Sequence, residues 1–107
     1  MKYGMFCEVY GKSLRNLVVE YLLEMRDLDF AVGDMAEELD ISRPKAYEII
    51  KILIKENIVK KSRIISGTQL FILNKDEAKV KLLMKTFDEC LNLIVDKYQE
   101  KSLIVNH

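Results

Sequence analysis

A chain of 107 residues, half of them apolar, is long enough for one domain that buries its own core without disulfides or metal. Its 17 basic and 17 acidic residues cancel, which argues against the uniformly basic surface of most nucleic-acid-binding domains. Two distant cysteines, Cys7 and Cys90, and one histidine, His107, supply neither a disulfide framework nor a standard zinc site, and no run approaches the roughly 18 apolar residues of a membrane span or has the form of a secretory signal.

The expectation is therefore a cytoplasmic domain with no metal, no cofactor and no membrane partner. Residues 1–10 contain Tyr3, Met5, Phe6, Val9 and Tyr10, and read either as a helical turn or as an extended arm. From Ser13 to Arg26 the apolar residues Leu14, Leu17, Val18, Tyr21, Leu22 and Met25 recur every three or four positions, which predicts a helix. Val32, Met35, Ala36 and Leu39 mark a second, short helix, and Asp40-Ile41 form a tight connection. Ser42 then suits an N-cap and Pro44 the first turn, where a missing N–H costs nothing. Ala46, Ile49, Ile50, Leu53 and Ile54 give this third helix its buried face, ending near Asn57.

Ile58 to Ile65 and Thr68 to Leu73, joined through Ser66-Gly67, read as a β-hairpin. Asn74 offers an N-cap to a last amphipathic helix running to about Tyr98, followed by a frayed tail over residues 100–107. The fold class is mainly α with a small hairpin. Residues 1–75 form a helix-turn-helix unit with an N-terminal arm, and residues 76–107 form the C-terminal helix and tail. There is no internal repeat or linker.

Charge is placed unevenly: residues 1–19 sum to +2, 20–40 to −7, 42–63 to +5 and 64–107 to zero. A neutral chain so arranged can still present a basic face to phosphate. The order helix, helix, tight turn, helix, hairpin, helix is the winged helix-turn-helix plan, which carries its second short helix into the DNA major groove. Three stretches, Tyr10-Gly11-Lys12-Ser13, the run from Asp34 to Tyr47, and Asn57-Ile58-Val59-Lys60-Lys61, resemble archaeal winged-helix transcription regulators related to the MarR and ArsR groups. The resemblance covers roughly residues 10–75. Ala36 matches the small residue where the two helices of that family touch. Met35, Leu39, Ile41, Ala46 and Ile49 match its apolar core, and Asp40 stands where glycine is frequent, a position aspartate tolerates.

The resemblance implies sequence-specific binding of double-stranded DNA by a transcription regulator, a repressor acting as a homodimer. It places DNA-facing positions on Ser42, Arg43, Pro44, Tyr47, Glu48 and Lys51. Helical geometry separately turns Pro44, Glu48, Lys51 and Lys55 outward, flanked by Lys45 and Tyr47. Ser42 and the first-turn N–H groups suit a phosphate, and Arg43 suits a phosphate or the O6 and N7 of guanine. Tyr47 offers a hydroxyl and a ring, Glu48 an acceptor for cytosine N4, and Lys45 and Lys51 neutralise the backbone. Ile52 also points outward, toward the hairpin or a partner. On the first strand Lys60, Lys61 and Arg63 are further candidate contacts. The tip, Ser66-Gly67-Thr68, is uncharged, so the wing is expected to flank phosphates and add little readout.

On a helical projection Val80, Leu83, Met84, Phe87, Cys90, Leu91, Ile94, Val95 and Tyr98 share one apolar face of the last helix. It is expected to form the dimer interface, principally through Val80, Leu83, Met84, Phe87, Leu91, Ile94 and Tyr98; folding back onto the protomer's own core is the alternative. An enzyme is not expected, because His107 stands alone and no glycine-rich phosphate loop occurs. Oxidation of Cys7 or Cys90 is a further regulatory possibility. The competing function is a winged helix that contacts protein inside a larger nucleic-acid machine, with the acidic Glu20 to Asp40 segment as its face.

Overall fold

The computed structural model describes residues 2–105, with side chains through residue 99. Among the described residues seven elements follow one another: α1 (Met5–Tyr10), α2 (Leu14–Glu24), α3 (Val32–Leu39), α4 (Arg43–Lys55), β1 (Val59–Ile65), β2 (Thr68–Leu73) and α5 (Ala78–Val105). The winged-helix plan is realised, with a two-stranded antiparallel hairpin following α4.

Local chemistry explains the boundaries. The Ser13 hydroxyl accepts from Asn16 N at 3.0 Å and the Ser42 hydroxyl accepts from Lys45 N at 3.3 Å, so both helices begin at capped ends. Asp40 ends α3 in the left-handed region, φ 56°, as the tight α3–α4 turn requires. In the hairpin Ser66 and Gly67 both have positive φ, 49° and 79°, the two-residue turn whose twist matches that of the flanking strands. Phe30 exchanges both backbone hydrogen bonds with Phe71 at 2.9 Å, which fastens the α2–α3 connection to the wing.

The core differs from a single stripe on α2. Every residue from Leu17 to Leu23 is buried, because α1 and α5 also pack against this helix. The N-terminal segment is a helix, and its start is held by a residue well along the chain: the Glu20 carboxylate accepts from Gly4 N at 2.8 Å and Cys7 N at 3.2 Å. Any side chain at position 4 would place its Cβ 2.9 Å from those carboxylate oxygens and so displace the Glu20 carboxylate that holds the helix start. Glu20 therefore leaves the acidic face proposed for residues 20–40. Asp27 pairs with Lys75 and Asp29 with Arg63, so the exposed, unmatched acids contract toward α3.

Two expectations for the last helix are corrected. Asn74 is not its N-cap; the Asn74 side-chain amide donates to Asn57 O at 3.0 Å, and α5 begins four residues later. The backbone stays helical through Val105, so most of the expected tail is helix, while His107 lies outside the described residues. No helix among the described residues is long and apolar enough to cross a membrane.

Candidate nucleic-acid interface

The buried face of α4 consists of Ala46, Ile49, Ile50 and Leu53. Packing these inward against α2 and α3 fixes the rotation of the helix, and Ser42, Arg43, Pro44, Lys45, Tyr47, Glu48 and Lys51 all stand exposed on the other side. Ile52 joins them, 45% exposed. Among the described residues Arg43 and Lys51 have no ion-pair partner, whereas Lys45 reaches Glu48 at 3.6 Å along the same helix. The Arg43 guanidinium lies across α3, its carbon 3.4 Å from the point a Cβ on Gly33 would occupy. Cations left unmatched within a fold are available to an external anion.

The three cations of β1 are treated differently by the structure. Lys61 is exposed and unpaired among the described residues, and Lys60 stands 4.0 Å from Asp76, a weak surface pair. Arg63 is bound. The strands are in register from Val59 opposite Leu73 to Lys61 opposite Phe71, then shift by one residue before Ile64 pairs with Gln69. This bulge turns Ser62 and Arg63 together onto Asp29: the hydroxyl donates at 2.8 Å and the guanidinium Nε at 2.9 Å. Hydrogen bonds from Arg63 and then Ser62 hold the Asp29 carboxyl below the usual carboxylate range. Arg63 thus clamps the wing to the α2–α3 connection. No local pattern announces this pairing, since residues 29 and 63 belong to separate elements and meet only after the hairpin docks.

The predicted dimer face divides in two. Val80 is fully buried and Phe87 is 9% exposed, both within the protomer's own core, while Leu83 and Met84 pack partly against it. Val80 and Phe87 thus belong to the alternative in which the helix completes its own core, because α1 and α2 cover that length of α5. Beyond Cys90 the helix leaves the body: residues 91–99 are all exposed, and they include Leu91, Leu93, Ile94, Val95 and Tyr98.

Both cysteines are free and buried. Burial, followed by the neighbouring Glu20 carboxylate, pushes the Cys7 thiol up to about 12, and the same two causes raise Cys90. Neither forms appreciable thiolate at neutral pH, the form that oxidants and electrophiles attack. Reaction of the folded protein with a disulfide reagent at pH 7 is expected to be more than about tenfold slower than in denaturant. Equal rates would show that the thiols are accessible and restore them as candidate sensors. Among the described residues no group of His, Cys, Asp or Glu is arranged to hold a metal ion.

No protein-family model matches the chain, and no curated protein sequence matches it. Solved structures do. The chain is similar to Lactococcus lactis ZitR, with TM-score 0.62 and 22% identity over 83% of this chain and 58% of that one. It is similar to MepR, a transcription regulator of the Staphylococcus aureus multidrug efflux pump MepA, with TM-score 0.61 and 15% identity over 92% of this chain and 77% of that one. A transcriptional regulator, HlyU from Vibrio vulnificus, gives TM-score 0.58 and 16% identity over 79% and 82% of the two chains. At these identities the likeness is one of architecture: the chain is a winged helix-turn-helix fold extended by a long C-terminal helix.

Proposed function

We propose that the chain is a sequence-specific, double-stranded DNA-binding transcription regulator that works as a homodimeric repressor. The observation that carries the reading is the exposed face of α4, continuous in charge with β1, on which Arg43, Lys51 and Lys61 have no internal partner among the described residues. Arg15, Arg26 and Lys75 are paired with carboxylates away from this face, whereas Arg43, Lys51 and Lys61 lie together on it without one among the described residues, and a group of exposed cations on one face suits a polyanion. The winged-helix neighbours described as transcription regulators support the same reading. Ser42, Pro44, Lys45, Tyr47, Glu48 and Lys60 complete the surface. Arg63 reaches phosphate only by leaving Asp29, so its share is smaller than that of Lys61.

The dimer rests on α5. A helix that projects five large apolar side chains over residues 91–99, with no cover from its own body, needs a second surface. A two-fold pairing there would direct two α4 helices toward successive major grooves, about 34 Å apart, and call for a pseudo-palindromic operator.

A gel-shift titration over genomic fragments at several salt concentrations tests the reading. Arg43→Ala is expected to weaken binding by about 1–3 kcal/mol or relax preference at one base position, and Lys61→Ala to weaken all duplexes alike and lower the salt slope by about one. Absence of binding even at low salt would overturn the proposal in favour of a protein-contact module.

A further inference from the structure

The wing of this chain ends in apolar side chains. Ile64 is 67% and Ile65 45% exposed, the tip carries no charge, and the one arginine of the strand is held by Asp29. A wing that enters the minor groove ordinarily does so through a cation, which is attracted by the negative potential there. This wing has nothing at its tip to perform that task.

Ile65 lines an open cleft of about 450 Å³ between the hairpin and the N-terminal ends of α3 and α4. Leu70 of β2 and Tyr47 of α4 line it as well, the latter 56% exposed, and Arg43, Gly33 and Asp34 form the opposite side. The two kinds of wall restrict the occupant. Asp34, exposed and without an ion pair among the described residues, offsets the charge of Arg43 on the same wall, so the cleft suits an uncharged group whose nonpolar part lies against Ile65, Leu70 and the Tyr47 ring. The surface is continuous with the recognition face of α4, so the group must project from DNA beside a phosphate that Arg43 can hold. On the major-groove edge of a duplex the nonpolar projection is the 5-methyl group of thymine.

We propose that Tyr47 and Ile65 form an apolar reader of pyrimidine 5-methyl groups, giving the wing a share of sequence readout by contact with thymine in the major groove. The proposal rests on the DNA-binding reading above and departs from the expectation that the wing only flanks phosphates. The charge of the complex is unaffected by such a contact, so its signature is a dependence on the methyl group that does not vary with salt.

The test uses the full chain and a duplex selected by it from a randomised pool, together with the same duplex in which every thymine is replaced by uracil, which removes only the methyl groups. Parent protein is expected to bind the uracil duplex at least about fivefold more weakly, as apolar contact with a base methyl contributes to discrimination. Ile65→Ser is expected to bind the two duplexes equally, and Ile65→Leu to restore the preference. Since Ile65 is exposed, thermal melting of both variants should stay near that of the parent. Equal binding of both duplexes by the parent overturns the proposal while leaving DNA binding intact. A uracil penalty unchanged in Ile65→Ser also overturns it, assigning the effect to duplex shape. If the randomised pool yields no bound duplex at low salt, the DNA-binding reading itself fails and this inference falls with it.

Discussion

Phe87→Glu is expected to unfold the protomer, whereas Ile94→Glu is expected to leave it folded and divide the dimer. Phe87 lies in the core among residues of α1 and α2, and loss of the ring alone costs about 3–5 kcal/mol. The substitution adds a carboxylate to a region that already contains the buried Glu20, whose field reaches Cys90 one turn along the same helix. Ile94 is 44% exposed on the part of α5 that has left the body, so a charge there meets water in the protomer and apolar surface only in a dimer. Light scattering coupled to size exclusion, with circular dichroism, separates the cases. Ile94→Glu should give a folded 12.5 kDa species, against twice that mass for the parent. A parent of 12.5 kDa at micromolar concentration, or an Ile94→Glu variant that remains dimeric, would remove residues 91–99 from the interface.

Leu22→Ala should lower stability by about 2–5 kcal/mol through the cavity it leaves. Leu22 is 1% exposed in the middle of α2, the helix that contacts α1, α4, α5 and β2. The neighbours belong to separate elements that cannot all collapse into the space of three lost carbons, which favours the upper part of that range. For a domain of this size each kcal/mol shifts the thermal midpoint by about 4–8 °C. Measurements at one fixed protein concentration exclude a contribution from altered association. An unchanged midpoint would mean that α2 is not the centre of the core.

Much of the fold is written in short stretches of sequence. Periodicity located α2, α3 and α4; Ser42, Asp40 and Ser66-Gly67 marked where a helix starts, where one stops and where the hairpin turns, because a cap or a left-handed residue acts within about four positions of itself. The outward set on α4, from Ser42 to Lys51, was equally legible, since the buried face of a helix fixes the exposed one by rotation alone.

What the sequence could not reveal depends on which distant segments close on one another. Residues 5–10 become a helix because Glu20, brought alongside by packing, satisfies the amides of Gly4 and Cys7. Arg63 is withdrawn from the candidate interface because a bulge and the docking of the hairpin deliver it to Asp29, 34 residues earlier. The apolar face of α5 is continuous in a helical projection, yet α1 and α2 cover it only as far as Cys90 and leave Leu91 to Tyr98 bare. Period, turn residues and the uneven placement of charge were enough to predict a helix-turn-helix order followed by a hairpin, an apolar last helix and a basic segment over residues 42–63. Tertiary structure decided which apolar residues make the core, which remain for a partner, and which cations stay unpaired, because burial and ion pairing depend on where the chain closes in space.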